Sequence, residues 1–198
     1  MKEMNLVPKL SLRPLPHAHR NFKYRVNRLG HTFNTKSPNK VWVSDITSVF
    51  VGTIEHKITT IIDLYSRKVI AHNVSIKTPA SLLIKLFDKT FKERGCPENL
   101  TFHSDQGCQY TSYIFRRHLK DLKVTQSFSN PGCPTDNAVA EAFFSCMKKE
   151  DIAHNIYNST KELEKIVDDY IDFFNNFRPH RKLKNLTPVA FEQKFIEK

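Results

Sequence analysis

The sequence predicts an α/β domain built on one mixed five-stranded sheet flanked by helices. Three observations support this fold class. The 198 residues are 39% hydrophobic and include 15 Phe, which is enough apolar material for a core. Residues 39–75 contain three segments of alternating, β-branched character at hairpin distances. After them, segments with helical periodicity alternate with short strand-like segments, an alternation typical of a sheet covered by helices.

The first three strands are predicted to form an antiparallel meander. Residues 39–51 (NKVWVSDITSVFV) roughly alternate apolar and polar side chains, and similar segments follow at 55–64 and 68–75. Gly52 lies at the first expected turn. Because the connections are only a few residues long, neighbouring strands are expected to run in opposite directions.

The rest of the chain is predicted to alternate helix and strand. Residues 79–94 place five Leu and Phe side chains on one helical face, and Gly95 and Pro97 end that helix. Further strands are expected at 99–103 and 124–128, and further helices at 111–122, 136–152 and 160–177. The resulting order, βββαβαβα with trailing helices, is that of the ribonuclease H-like fold, which by itself establishes no chemistry.

Positive charge is concentrated near the N-terminal end of the chain. Lys and Arg total 31 against 20 Asp and Glu, which gives a net charge of +11. Residues 1–39 hold eight of the basic residues against Glu3 alone. We interpret 1–39 as a basic arm or linker, 40–156 as the core and 157–198 as a C-terminal helical extension; the alternative for the arm is a solvated terminus. Charge of this sign favours a polyanionic partner, nucleic acid first.

Several classes of protein are excluded. No apolar run approaches the roughly 18–20 residues that cross a bilayer, and the opening MKEMNLVPKLSLRP lacks the apolar stretch of a signal peptide. The four cysteines form no CxxC pair and have no His at zinc-finger spacing. We therefore expect a soluble, cytosolic protein with reduced thiols and no membrane contact.

Three acidic residues stand out by their position. Asp45 lies inside the first strand, where Asp is a poor strand former. Asp105 directly follows the fourth strand, and Glu141 lies on the last core helix. In this fold order the middle of strand one and the end of strand four are adjacent and the late helix crosses that edge, so the three carboxylates are expected to converge. Such oxygen ligands suit two Mg²⁺ or Mn²⁺ ions, which can assist phosphodiester displacement without a covalent enzyme intermediate.

Each acid also has an ordinary structural explanation. An Asp after a strand is often a turn or cap residue, and a Glu on an amphipathic helix is usually solvated. Two rival acids are Asp63, at the end of the second strand, and Asp136, at the start of the last core helix. We interpret Asp63 as a turn residue that pairs with Arg67, and Asp136 as a helix cap. The residues alone therefore leave the metal site open.

One face of the last core helix is polar. Helical spacing places Asn137, Glu141, Ser145 and Lys148 together, a stripe suited to both a metal ion and a DNA phosphate. The alternative for Lys148 and Lys149 is a solvated face whose positive charge suits the C-terminal end of the helix.

Four motifs point to a known family. They are WVSDIT (42–47), HSDQGCQY (103–110), DNAVAEAFFSCMKKE (136–150) and NNFRPHRKLKNLTPVAFE (175–192). The first three resemble the integrase catalytic core of bacterial insertion-sequence transposases, a group related to retroviral integrases, and the fourth is similar to the C-terminal signature of that group. As in the family, 35 residues separate Asp105 from Glu141. The resemblance covers about residues 38–195.

The resemblance implies a transposase that performs metal-dependent DNA cleavage and strand transfer at insertion-sequence ends. Asp45, Asp105 and Glu141 would bind two Mg²⁺ or Mn²⁺ ions, with Asp45 bridging both. The implied partner is double-stranded DNA, as element ends and as target. Because two DNA ends must be brought together, a homodimer or larger assembly on DNA is expected. The protein would act in the bacterial cytoplasm, at the nucleoid.

The resemblance also implies that Lys148 contacts a DNA end. We extend this expectation to Lys149 and Asn137 on the same helix. A basic cluster in the C-terminal extension is expected to hold backbone phosphates, a role that is neutral to sequence. The cluster consists of Arg178, His180, Arg181, Lys182 and Lys184.

The sequence departs from the family pattern at two places. Full-length relatives carry an upstream helix-turn-helix region, and residues 1–13 resemble only its trailing edge. In the loop 129–137 (SNPGCPTDN), Asn130 and Pro131 stand where relatives have basic residues, which argues against a phosphate contact there. Two other functions stay open: a structure-selective nuclease of the same fold that cuts without joining, and a catalytically silent DNA-binding fragment.

Overall fold

A computed structural model describes residues 25–30 and 34–197 and confirms the predicted fold class. The strands are β1 (Val41–Val51), β2 (Ile54–Asp63), β3 (Val69–Ser75), β4 (Thr101–Ser104) and β5 (Thr125–Phe128). They form one sheet in the order β3-β2-β1-β4-β5. The first three strands pair antiparallel, as predicted, whereas β1–β4 and β4–β5 are parallel. Most of the predicted basic arm, residues 1–24 and 31–33, lies outside the described residues.

Helices cover both faces of the sheet. In the described part of the chain they are α1 (Ala80–Glu93), α2 (Cys108–Thr111), α3 (Tyr113–Asp121), α4 (Ala138–Glu150), α5 (Thr160–Asn176) and α6 (Pro188–Ile196). One core lies between the sheet and α1–α3, and the other lies between the sheet and α4–α5. Adjacent β1 residues serve the two cores, since side chains alternate along a strand: Trp42 packs edge-on against Phe87 at 5.8 Å, and Val43 faces α4 and α5.

The predicted helix at 111–122 starts earlier and is divided at Ser112. The backbone of Ser112 is extended (ψ 144°), and its hydroxyl accepts the Phe115 N–H at 3.3 Å to cap α3. The same hydroxyl donates to the Gln109 carbonyl at 2.8 Å, at the end of α2. These local side-chain bonds replace a continuous helical ladder.

The last core helix starts two residues later than predicted, after a 3₁₀ turn at Pro134–Asn137. The interpretation of Asp136 as its cap is wrong, because no side chain caps the start of α4. The Asp136 carboxylate instead accepts the Asn130 N–H at 2.8 Å and closes the loop that precedes the helix.

A buried charged network attaches α6 to the sheet. Glu192 of α6 is 6% exposed and accepts hydrogen bonds from Arg94 Nη1 (2.6 Å) and Ser66 Oγ (2.7 Å). Asp63 is fully buried and lies 3.8 Å from the Arg94 guanidinium. Asp63 therefore pairs with Arg94. Burial lowers the pKa of Arg67, and the negative charge of Asp63 raises it against that effect. The Arg67 backbone N–H donates to the Asp63 carbonyl at 2.9 Å.

The segment 25–30, which belongs to the predicted arm, lies against β5. Its Val26 carbonyl accepts the Phe128 N–H at 3.1 Å, and the Arg28 N–H donates to the Ser127 hydroxyl at 2.9 Å. These bonds hold the segment along β5, the strand at one edge of the sheet.

Within the described ranges, no helix has both the length and the apolar character needed to span a membrane. Cys96, Cys108, Cys133 and Cys146 are all free thiols, and the first three are exposed.

Candidate active site

Strand register brings Asp45 and Asp105 to the same edge of the sheet. β1 and β4 are parallel, and Ser44 is the register partner of Ser104, the last residue of β4. The next residue on each strand is one of the two acids. Since neighbouring strands lie about 4.8 Å apart, this register places two carboxylates side by side.

Glu141 reaches the same edge from α4. The side-chain amide of Asn137 donates to the Ser44 carbonyl at 3.4 Å and so ties the start of the helix to β1 beside Asp45. Glu141 follows one helical turn later. Asp45, Asp105 and Glu141 line one cavity of about 280 Å³. The other side chains and backbone around it come from the loop before α4 and include Ser129, Asn130, Gly132 and Cys133.

Asp45 is the carboxylate most affected by this arrangement. Burial raises its pKa to about 7, and the negative charges of Asp105 and Glu141 act in the same direction. Two groups offset part of this rise in pKa. The Ile46 N–H donates to Asp45 Oδ1 at 2.8 Å, and Lys148 contributes a positive charge. Asp45 therefore ionises less readily than an ordinary carboxyl group, chiefly because it is buried.

The donor set suits a divalent cation. Carboxylate oxygens are the ligands that Mg²⁺ and Mn²⁺ prefer. Asp105 Oδ1 accepts the Gly107 N–H at 2.9 Å, and Glu141 is exposed at the cavity and makes no side-chain hydrogen bond to another described residue. Across residues 25–30 and 34–197, no three His, Cys, Asp or Glu side chains stand together as a ready-made ion site. Binding a cation would require the acids to draw together.

Buried polar contacts hold the strand that carries Asp45. The Ser44 hydroxyl donates to the Thr60 carbonyl at 2.8 Å and lies 2.8 Å from the Tyr110 hydroxyl. Burial raises the pKa of Tyr110 well above its usual range, so the phenol stays protonated. Tyr110 belongs to α2, which follows Asp105, and it therefore links the two strands that carry the acids.

Two supporting residues, Gln106 and His103, were not predicted from the sequence. Gln106, next to Asp105, accepts Arg25 Nη1 at 3.2 Å and donates to the Ser129 carbonyl at 3.0 Å. His103 is fully buried, with its ring nitrogens 2.9 Å from Ser127 Oγ and 3.2 Å from Ser129 Oγ. Burial lowers the pKa of His103 to about 4, so the ring is neutral at pH 7. The only sequence signal was the position of both residues within HSDQG.

The helix residues expected at DNA differ in their surroundings. Lys148 is half-buried and close enough for its charge to lower the pKa of Asp45, and Lys149 is exposed. Asn137 is only 3% exposed, its side-chain amide donates to β1, and it lines the carboxylate cavity.

The C-terminal basic cluster divides into paired and exposed members. Arg178 forms two hydrogen bonds to Glu150, at 2.6 and 3.0 Å, so its charge is already paired. His180 packs edge-on against Phe174 at 4.5 Å, and burial lowers its pKa, which keeps it neutral at pH 7. The cluster members that are exposed and form no ion pair with a described residue are Arg181, Lys182 and Lys184.

Comparison with protein families gives two matches. An Integrase core domain model matches residues 35–134, and a second Integrase core domain model matches residues 122–188. Among curated proteins, the chain is 33% identical over 165 residues to InsK for insertion sequence element IS150 of Escherichia coli, covering 83% of this chain and 58% of that protein. It is 32% identical over 169 residues to the transposase InsF for insertion sequence IS3A of Escherichia coli, covering 85% and 59%. The chain thus spans less than two thirds of either relative.

Solved structures share the fold at low sequence identity. The HTLV-2 integrase catalytic core domain in complex with magnesium matches with a TM-score of 0.61 and 16% identity, over 79% of this chain and 98% of that one. The Mos1 transposase catalytic domain, solved with raltegravir and Mn, matches with a TM-score of 0.58 and 13% identity, over 67% and 70%.

Proposed function

The chain belongs to the integrase core domain family, as the catalytic core of a bacterial insertion-sequence transposase, and we propose that it performs metal-dependent DNA cleavage and strand transfer. The observation that carries this proposal is the cavity on which Asp45, Asp105 and Glu141 lie together, contributed by three separate elements. A divalent cation would neutralise these carboxylates as it draws them together.

The three acids would hold two Mg²⁺ or Mn²⁺ ions, and Asp45 is the most buried of the three. Ions bound in this way activate the attacking oxygen and stabilise the leaving oxygen of a phosphodiester displacement. Two catalytic cores of the same fold were solved with magnesium and with Mn, which supports this choice of ion. The Lys148 ammonium would stabilise a DNA phosphate next to the acids.

Two displacements make up the proposed reaction. In cleavage, water loses a proton as its oxygen bonds to the scissile phosphorus, the bond from phosphorus to the 3′ oxygen breaks, and that oxygen takes up a proton to become a 3′-hydroxyl. In strand transfer, the 3′-hydroxyl loses its proton as its oxygen bonds to a phosphorus of target DNA, and the target 3′ oxygen leaves and takes up a proton. The substrates are double-stranded element ends and target DNA. Because two ends are joined, a dimer or larger assembly on DNA would carry out the reaction.

The test is a gel assay with a labelled terminal-repeat duplex and a target duplex in Mg²⁺ or Mn²⁺. The wild type is expected to give both cut and joined products. Asp45→Asn should lose both while it binds DNA nearly as well as the wild type, because the carboxylate is removed with little change of shape. Asp172→Asn, an exposed position on α5, makes the same change of charge and should stay active.

The products also separate the alternatives. Cut products without joined products would indicate a structure-selective nuclease instead. Joined products from Asp45→Asn in amounts equal to wild type would refute the assigned site.

A further inference from the structure

A basic cavity lies on the surface formed by α3, the start of β5 and the segment 25–30. Its volume is about 670 Å³. We call it the α3 surface and define it by the residues Arg28, Tyr113, Arg116, Arg117, Lys120 and Lys123. None of these residues belongs to the carboxylate cavity or to the C-terminal basic cluster.

The α3 surface is strongly positive. Five cationic side chains line it against one carboxylate, that of Asp121. Asp121 lies 3.9 Å from Arg117 in an exposed pair one helical turn apart, an arrangement that contributes little energy and leaves both groups in water. Positive charge at the last turn of α3 is stabilised by the helix dipole. This does not account for Arg117, or for Arg28, which belongs to the separate segment 25–30.

An aromatic side chain stands among these charges. Tyr113 is 66% exposed at the first turn of α3. The large apolar surface of an aromatic side chain is usually buried in a core or at an interface. A tyrosine beside several cations suits the sugar and phosphate edge of a nucleic acid, which accepts hydrogen bonds from hydroxyl and cationic groups alike.

The α3 surface is connected to the carboxylate cavity. Gln126, which lines the surface, donates to the Tyr110 carbonyl at 2.9 Å, and α2, which carries Tyr110, is the element between Asp105 of the cavity and the start of α3. From this end, α3 extends about 13 Å. Duplex DNA carries one negative charge per roughly 1.7 Å of its axis, so a helix of this length can face several phosphates.

We propose that the α3 surface binds the backbone of duplex DNA that flanks the scissile phosphate. The inference rests on the proposed function for the identity of the polyanion. Its chemistry is that of phosphate binding without sequence readout, and it holds the duplex beside the cavity where the acids lie.

The test compares two triple variants by fluorescence anisotropy with a labelled duplex of about 30 base pairs, roughly three helical turns. Arg117→Gln/Lys120→Gln/Lys123→Gln removes three charges from the α3 surface. Lys85→Gln/Lys89→Gln/Lys92→Gln removes three exposed charges from α1, where Lys89 pairs with Glu93 at 3.9 Å as Arg117 does with Asp121. Unchanged melting temperatures show that both variants are folded.

The α3 variant is expected to bind at least tenfold more weakly at low salt. The slope of log affinity against log salt should become less steep by about 2 to 3, since each neutralised phosphate contributes about 0.9. The α1 variant should keep the wild-type slope. Equal slopes for the two triple variants, or a wild type that binds no duplex, would overturn the proposal.

Lysine acetylation of the wild type, read by mass spectrometry, tests the surface without any substitution. Bound duplex should protect Lys120 and Lys123 and leave Lys85 and Lys89 reactive, and the reverse pattern would overturn the proposal. If the wild type neither cuts nor joins DNA but the α3 variant still binds DNA more weakly than the wild type, the α3 surface is supported and the proposed function fails. The two claims are therefore tested separately.

Discussion

Asp45 is the acid of the candidate site whose pKa is raised by its surroundings. It is half-buried on β1, and its pKa is raised to about 7 by burial and by two neighbouring carboxylates. A strand interior would favour an apolar or β-branched side chain here, so retaining an acid costs stability. Such a cost is common where charge serves binding or catalysis.

The raised pKa of Asp45 predicts that Asp45→Asn gains stability relative to wild type as the pH rises in metal-free buffer. Between pH 4 and 7 the folded state holds the proton that the unfolded state releases, so wild-type stability falls as pH rises through that range. Asn cannot ionise. The melting temperature of the variant relative to wild type should therefore increase from pH 4 to pH 8, by a few degrees in total. Thermal melts across this range check it, and parallel curves for the two proteins would contradict it.

Mg²⁺ or Mn²⁺ should reverse part of that difference. A cation that binds only the folded state raises the melting temperature. At pH 8 the wild type is expected to gain stability with added ion, whereas Asp45→Asn should gain much less. Thermal melts at increasing Mg²⁺ or Mn²⁺ concentration in Ca²⁺-free buffer measure this. An equal rise in melting temperature for both proteins would show that the ion binds at a site without Asp45.

At the scale of elements, the segment 25–30 behaves as part of the fold. Leu29 is 7% exposed and belongs to the core that also contains α4 and α5 side chains. The same segment contacts Gln106 through Arg25, next to Asp105. A short stretch of the predicted arm is thus packed from β5 to the edge of the candidate site.

The packing of this segment predicts that Leu29→Ala lowers the free energy of unfolding by about 2 to 3 kcal/mol, the usual cost of a cavity left by a buried Leu. Val26→Ala is the matched control, because Val26 is 44% exposed and contributes to pairing through its carbonyl. Its cost should be about 0.5 kcal/mol. Urea denaturation distinguishes them; similar losses for both variants would show that Leu29 is not a core residue.

The attachment of α6 makes a second prediction. Glu192→Ala leaves Arg94 partly buried without its closest carboxylate and should cost about 3 kcal/mol. Glu93→Ala removes an exposed pair with Lys89 and should cost less than about 1 kcal/mol. The comparison is again made by urea denaturation. If Glu192→Ala is as mild as Glu93→Ala, the charged network does not hold α6.

At the scale of the whole molecule, the strand and helix order could be predicted because each element carries its own periodicity. The alternation around Trp42 and the helical stripe of α1 are local signals, and the parallel pairing of β1 and β4 follows from the fold order. That pairing, together with α4, is also what made the convergence of three acids foreseeable. The assignment of those acids as ion ligands stays a prediction.

The remaining features depend on contacts between distant parts of the chain. Arg28 bonds to Ser127 across 99 residues, and Asn137 bonds to Ser44 across 93. No local pattern reports such pairings, so the docking of 25–30 and the burial of Asn137 could not be predicted. The division of α2 from α3 at Ser112 rests on a hydroxyl that hydrogen-bonds at both ends, which periodicity alone does not reveal.

If the three carboxylates perform the chemistry, joining of a pre-cleaved element end must depend on each of them. The assay supplies a free 3′-hydroxyl, Mg²⁺ and a target duplex, and it compares wild type with Asp45→Asn, Asp105→Asn and Glu141→Gln. The wild type is predicted to join the end, and each variant is predicted to lose joining by at least about a thousandfold while it retains DNA binding. Joining by any of the three variants at the wild-type rate would contradict the account.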